Sequence, residues 1–432
     1  MINQTLADAE LPDPSHPTVF SGHVSNDLIY LDHAAGAPLG QAARNALIDA
    51  ADHLWGNPSS VHGQGQKARA ALDRARRQVA HALGARPGEI VLTSGATEAN
   101  ALAWRGLLTP APGEPAKRAL WTAVEHPSLK AVAQALARQG LQIEEIAVDA
   151  FGRVDLQRLS DQLERGPVAL ASVQWVNQEL GCVQPLAEVA RLVHAKGALL
   201  HCDATQGWGR LPLDVKAMSV DLLSVSGGKI GAPAGTGALW LRPGVRLQPV
   251  QAGHQEQGLR GGTENLLALV ALGAAAEALP LRLSQAAQVR QMRDRLWEAL
   301  QIGCRDRELG PMTRNADLPA DLESGHILSA SWPGLEAPRL IMALDLAGVA
   351  ASAGSACSSG TQQPSHVLAA IRDESADGLA IRRGTVRFSL GPELTDRDID
   401  TAAERILATL GRLRKRPPTP PDTSGPAGTR SV

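Results

Sequence analysis

Between about residues 28 and 241, short apolar runs alternate with amphipathic stretches, and few folds accept that alternation. Glu89-Ile90-Val91-Leu92-Thr93, Ala119-Leu120-Trp121-Thr122-Ala123, residues 168–173, Ala198-Leu199-Leu200-His201-Cys202 and residues 220–225 read as strands too short and apolar to be helices. Between them lie helical periods, such as residues 66–83 with Ala68, Ala71, Leu72, Ala75, Val79 and Ala82 on one face before Gly84. A helix is expected from near Ala99 and another over residues 185–196. Strands separated by helices predict an α/β fold, a sheet with covering helices.

Past residue 282 the texture changes. A long helix is expected over residues 283–300, with Leu283, Val289, Met292, Leu296 and Leu300 on one face. Strands follow near residues 326–332 and 385–389. The predicted organisation is a large domain over residues 39–282 and a smaller α+β domain built from residues 1–38 and 283–416. Residues 417–432, rich in Pro, Thr, Gly and Ser with no apolar period, read as a disordered tail.

A chain of 432 residues has length enough for these two cores. Its 42 basic and 44 acidic residues nearly cancel, which argues against nucleic acid or an anionic membrane as the main partner. No apolar run reaches the roughly 18 residues of a membrane span, and residues 1–17 carry acids and prolines where a secretory leader has basic and then apolar residues. A cytoplasmic location is the expectation. Cys182, Cys202, Cys304 and Cys357 show no CxxC spacing, so neither a disulfide framework nor a metal site is indicated.

Chemistry concentrates at strand ends. Residues 220–225 run into Ser226-Gly227-Gly228-Lys229, and the strand before it ends in Asp203-Ala204-Thr205-Gln206. A lysine and an aspartate on neighbouring strand ends suit pyridoxal phosphate: the amine condenses with the aldehyde, and the carboxylate keeps the ring nitrogen protonated. Ser94-Gly95-Ala96-Thr97-Glu98 leaves a strand and opens a helix, a geometry that aims N–H groups and the helix dipole at a phosphate; an ordinary capped turn is the plainer alternative. His126 follows a strand and is able to stack on the ring and shuttle protons, or is a surface histidine ahead of a helix. Asn177 and Gln206 are able to donate to the ring oxygen, or are locally satisfied loop residues. Arg387 alternates with apolar neighbours in Thr385-Val386-Arg387-Phe388-Ser389, suited to a fork-shaped carboxylate contact or to a structural ion pair. Cys357, in Gly354-Ser355-Ala356-Cys357-Ser358-Ser359-Gly360, sits in a stretch too small-residued to pack, read as a mobile loop carrying a thiolate. The other three cysteines read as packing residues.

From residue 29 to 413 the chain resembles the cysteine desulfurases, in the class V aminotransferase group of fold-type I pyridoxal-phosphate enzymes. The resemblance rests on Tyr30-Leu31-Asp32-His33-Ala34-Ala35, Gly56-Asn57-Pro58-Ser59-Ser60-Val61-His62, Thr93-Ser94-Gly95-Ala96-Thr97-Glu98, Val176-Asn177-Gln178-Glu179-Leu180-Gly181, His201-Cys202-Asp203-Ala204-Thr205-Gln206, Gly258-Leu259-Arg260-Gly261-Gly262-Thr263-Glu264-Asn265 and Arg387-Phe388-Ser389-Leu390-Gly391. It implies that Lys229 binds the aldehyde and Asp203 the ring nitrogen, that His126 stacks on the ring, and that Asn177 and Gln206 hold its phenolic oxygen. Thr97 and Ser226, with Ala96 beside them, would bind the phosphate, joined by Thr263 from the other subunit of a homodimer. Arg387, with Asn177, would bind the substrate. Cys357 would take the sulfur of L-cysteine as a persulfide, leave L-alanine, and pass the sulfur to an acceptor protein. A charged His126 is expected to lower the Cys357 pKa.

Two departures from the family pattern stand out. Gly228 replaces the usual histidine before the lysine, removing a phosphate contact worth about 1.5–3 kcal/mol. Gly36-Ala37-Pro38 replaces two threonines before the proline, and Ala252-Gly253-His254-Gln255 is also irregular. Alternative readings are an aminotransferase, a lyase acting on selenocysteine or cysteine sulfinate, or a non-catalytic partner in a sulfur-transfer complex.

Overall fold

The computed structural model describes residues 28–109, 117–353, 365–372 and 375–415. The strands of its first two-thirds are β1 (Ile29–Tyr30), β2 (Ile90–Thr93), β3 (Arg118–Thr122), β4 (Gln142–Ile146), β5 (Leu170–Ser172), β6 (Leu199–Asp203), β7 (Leu222–Ser226) and β8 (Gly237–Leu241). Seven of them form one sheet in the order β2-β8-β7-β6-β5-β3-β4. From β7 to β4 every pairing is parallel, while β8 runs antiparallel to both β2 and β7. The sheet is thus mixed and mostly parallel. Its strands are buried almost throughout, because helices cover both faces.

Register decides what meets at the strand ends. Asp203 pairs with Ser224 across β6 and β7, Ser226 with Gly237 across β7 and β8, and Gly237 with Thr93 across β8 and β2. Three loops therefore leave the sheet side by side: the one after Thr93, the one after Asp203 and the one after Ser226. Gly237 permits the close approach, since a Cβ there would lie 2.6 Å from the Cα of Gly95. In such sheets ligands bind beyond the carboxyl ends of the strands.

Helix bounds shift slightly from expectation, for local reasons. The helix after β2 is Ala96–Leu108 and starts three residues earlier than expected, because Gly95 at φ 147° breaks the chain there. The helix Gly63–Ala82 begins where the His62 ring accepts from the Gly65 N–H. The expected helix over 283–300 is two pieces, Leu279–Ser284 and Ala286–Asp306, with a break at Gln285.

The second core lies beyond. Strands β9 (Thr313–Arg314), β10 (Ile327–Ser331), β11 (Val349–Ala350), β12 (Ser352–Ala353) and β13 (Thr385–Ser389) follow in the chain. Four of them make an antiparallel sheet in the order β12-β13-β10-β9, covered by the helices Ala286–Asp306 and Asp396–Lys415. Trp332, Phe388, Leu296, Leu300 and Ile406 fill this core, with Trp332 edge-on to Phe388. The first described residues belong here too: β1 pairs with β11, Asp32 bridges to Ser389, and Ile29 and Leu31 are buried in this second cluster. Cys182, Cys202 and Cys304 are buried. Cys357 and the tail 417–432 lie outside the described residues. Among the described residues no helix is long and apolar enough to cross a membrane.

Glu323 stitches the second core to the wall of the first. Its carboxylate accepts from Arg290, Arg293 and Arg314 at 2.5–3.0 Å, and its backbone bridges to Cys182. Arg293 is 1 % exposed, so it has no water to fall back on. Replacing Glu323 by Ala is expected to cost about 3–5 kcal/mol, read as a lowered urea midpoint, since three guanidinium groups lose their shared counter-charge.

Candidate active site

The three adjoining loops enclose a cavity of about 430 Å³. Ala96, Thr97, His126, Asp203, Gln206, Ser226, Lys229 and Arg387 all line it. Two expected residues do not. Asn177 lies behind the wall, its Oδ1 accepting from the N–H groups of Glu179 and Leu180 and its Nδ2 donating to the Val124 carbonyl. Its neighbours Val176 and Gln178 face the cavity instead. Thr263 is exposed and does not line this chain's cavity.

Asp203, 6 % exposed, ends β6. Its Oδ2 accepts from Asn100 Nδ2 at 2.8 Å and its Oδ1 from the Thr205 N–H at 3.0 Å. The same Asn100 amide reaches Ser128 Oγ at 3.2 Å, and Ser128 in turn bonds His126 Nδ1. Across the cavity Lys229 follows a short 3₁₀ turn after β7, and its Nζ donates to the Ala35 carbonyl. The same cavity is lined by the start of the helix Ala96–Leu108, whose first N–H groups have no partner within the helix and whose dipole is positive at that end.

His126 caps the helix Pro127–Ala137, its Nδ1 accepting from the Ser128 N–H at 3.1 Å. An Nδ1 that accepts leaves the proton of a neutral ring on Nε2. Burial pushes its pKa down, and the charges of Lys229 and Arg387 add to that against the opposing pull of Asp203. The expectation of a charged His126 acting on Cys357 is therefore corrected: burial favours the neutral imidazole.

Arg387 turns out to combine both readings. Its Nη2 pairs with Asp32 Oδ1 at 2.7 Å and its Nη1 donates to the Gln178 carbonyl, yet it lines the cavity and its Nε has no partner. A guanidinium so fixed by two bonds has one edge left for an anion.

The family departures meet in space. The Ala37 N–H donates to the Gly228 carbonyl at 2.9 Å, and Tyr30 Oη donates to the Gly36 carbonyl at 2.8 Å. A Cβ on Gly228 would meet only Ala234 Cα, at 3.8 Å, so a side chain has room there.

Sequence reasoning missed the polar groups beneath the cavity: Asn100, Glu125 and Thr205, together with Glu179 on its wall. Glu125 is fully buried and accepts from Thr122 Oγ1 and the Gln174 N–H. Burial, and then the charge of Asp203, push its pKa up to about 8. Glu179 is raised to about 7 by burial, and Ser365 Oγ donates to it. The one available signal was spacing, since Ala96, Thr97 and Asn100 share a helix face.

The cavity fits pyridoxal phosphate. It has the volume for such a ligand, and an amine, a carboxylate and a helix N-terminus all line it. Thr205 Oγ1 and Gln178 Nε2 are buried in its wall without partners, as polar atoms awaiting a ligand would be.

Comparison with known proteins agrees. The aminotransferase class-V family model matches residues 29–401. A cysteine desulfurase of Enterobacter agglomerans is 37 % identical over 392 residues, 90 % of this chain and 94 % of that one. Cysteine desulfurase IscS 1 of Archaeoglobus fulgidus is 37 % identical over 394 residues, 90 % and 98 % of the two chains. Among solved structures, a NifS-like protein superposes with a TM-score of 0.78 at 27 % identity, covering 89 % of this chain and all of that one. A structure described as SspA in complex with cysteine gives 0.69 at 29 %, covering 85 % and 99 %. The chain belongs to the class-V aminotransferase family, among the cysteine desulfurases.

Glu125 gives a pH test. A carboxyl whose pKa is raised on folding stabilises fully below its unfolded value, near 4.5, and that contribution is lost as pH rises through about 8. Glu125→Gln, which mimics the protonated acid, is expected to flatten the fall of stability between pH 5.5 and 8.5 by up to roughly 1.4 kcal/mol per pH unit. Urea unfolding across that range checks it.

Proposed function

We propose that the protein is a pyridoxal-phosphate-dependent cysteine desulfurase that converts L-cysteine to L-alanine and retains the sulfur as a persulfide on Cys357. One observation carries the reading: Lys229 and Asp203 face the same cavity from beyond the ends of adjacent parallel strands, and a helix N-terminus lines it with them. The family of the chain and the cysteine-bound relative support the substrate.

When bound, pyridoxal phosphate supplies an electron sink for the substrate α-carbon. Asp203 holds the proton on the ring nitrogen. The Ala96 and Thr97 backbone, with Thr97 and Ser226 side chains, binds the phosphate. Gln206 serves the phenolic oxygen. Neutral His126 stacks on the ring. Arg387, which lines the cavity, orients the substrate carboxylate. Lys229 would hold the cofactor's aldehyde and would be placed to move the substrate's α-proton. The Cys357 thiolate attacks the substrate sulfur; an S–S bond forms, the C–S bond breaks, and the carbon is protonated to alanine.

A homodimer completes the reading. Thr263 is exposed on its own chain, as a residue serving a second copy's phosphate would be, and Trp55 and Val61 are 70 % and 89 % exposed. The persulfide sulfur then passes to an acceptor protein, and the setting is cytoplasmic.

Incubation with L-cysteine and a reductant is expected to yield sulfide and alanine in equal amounts. Cys357→Ala should abolish both while keeping the cofactor's visible absorption; retained turnover would instead mark an aminotransferase or a direct lyase. Lys229→Ala should also lose the borohydride-reducible absorption. Gly228→His, whose Cβ meets no close contact, is expected to restore a phosphate contact and tighten cofactor binding by roughly 10-fold or more, measured by titrating the apoprotein.

A further inference from the structure

Behind Gln206, where the two cores meet, lies a second cavity of about 20 Å³. Arg210, Arg282, Ser324, His326 and Ala286 are among its walls. Arg210 is 6 % exposed; among the described residues its guanidinium makes one hydrogen bond, a long one to the His33 carbonyl at 3.4 Å, and Nε and Nη1 have no partner. Arg282 is mostly buried as well, its nearest carboxylate being Glu393 at 3.8 Å. Glu393 is half exposed and already shared with His33. The neighbouring cations are accounted for, Arg387 by Asp32 and Arg290 by Glu323. Two guanidinium groups thus face one partial counter-charge beside this cavity, and an unpaired buried charge is costly.

Other groups of the cavity favour the same kind of guest. Ser324 Oγ is buried without a partner. The helix Ala286–Asp306 begins here, presenting unpaired N–H groups and the positive end of its dipole. Gln206 Nε2 donates to the Ala34 carbonyl, which turns its Oε1 toward His326 Nε2. Burial and the surrounding arginines push the His326 pKa well down, so that ring adds no positive charge of its own.

We propose that this cavity binds a single small monovalent anion of chloride size, which neutralises the Arg210–Arg282 pair. Size decides the class. A cavity of about 10–15 Å³ holds one water-sized body, so this one admits a single atom-sized guest and excludes phosphate, sulfate or a carboxylate. A lone water would fill the space and leave the charge standing. Since the walls come from the loop after β6, the start of a helix, the approach to β10 and the exit of β13, the ion would pin both cores together one residue behind the larger cavity.

The test uses full-length holoenzyme crystals grown without chloride and soaked in sodium bromide. An anomalous bromine peak beside Arg210, lost in Arg210→Met, is the expected result; a water-weight peak with no anomalous signal overturns the proposal. Should Arg210→Met not fold, Ser324→Ala takes its place, with reduced bromide occupancy expected and unchanged occupancy counting against the site. In solution, replacing gluconate by chloride at constant ionic strength is expected to raise the unfolding temperature saturably, by about 1–2 °C at tenfold the dissociation constant, in wild type but not in Arg210→Met. An equal response in both proteins, or no saturation, overturns it.

Discussion

A carboxylate kept almost wholly from water at the end of β6 sets the terms for everything around it. Asp203 is held by Asn100 and the Thr205 N–H, and its charge acts on each titratable neighbour. It raises Glu125, opposes the lowering of His126 and His201, and helps raise Cys202. Burial holds these groups neutral, with Asp203 adding to it at Glu125 and Cys202 and working against it at the two histidines, so the negative charge in that floor stays concentrated on one residue. A ring nitrogen brought to it meets a strong, undivided partner.

Much of this was legible in the chain, because strand ends announce themselves. Apolar runs before Asp203 and Lys229 located both residues on adjacent strand ends, and the small residues after Thr93 marked a helix start. What could not be read was register. That Thr93, Gly237 and Ser226 stand in one row depends on β8 running against its neighbours, which no local pattern encodes. The buried acids were hidden for a related reason: Glu125 and Glu179 look like ordinary loop residues until tertiary packing removes their water. His126 was misjudged in charge on the same ground, since burial outweighs its proximity to Asp203. The Arg387–Asp32 pair joins residues 355 apart and has no signature in either segment.

The two departures from the family pattern are best regarded as one. Gly228 and the Gly36-Ala37-Pro38 stretch are bonded through backbone, and Tyr30 secures the latter. A change at Gly228 therefore bears on the segment that supplies Ala34 and Ala35 to the cavity wall. The segment after Asp32 and the turn before Lys229 behave as a single piece of wall.

That piece of wall also has a history during synthesis. Residues 29–33 are made more than 300 residues ahead of their partners Val349, Ala350, Arg387 and Ser389. The sheet that carries Lys229 and Asp203 can pair long before then, but its rim stays unsealed until the final strand appears. The cavity therefore cannot be completed before β13 has been made, and any chain stopped short of β13 would carry an unfinished pocket.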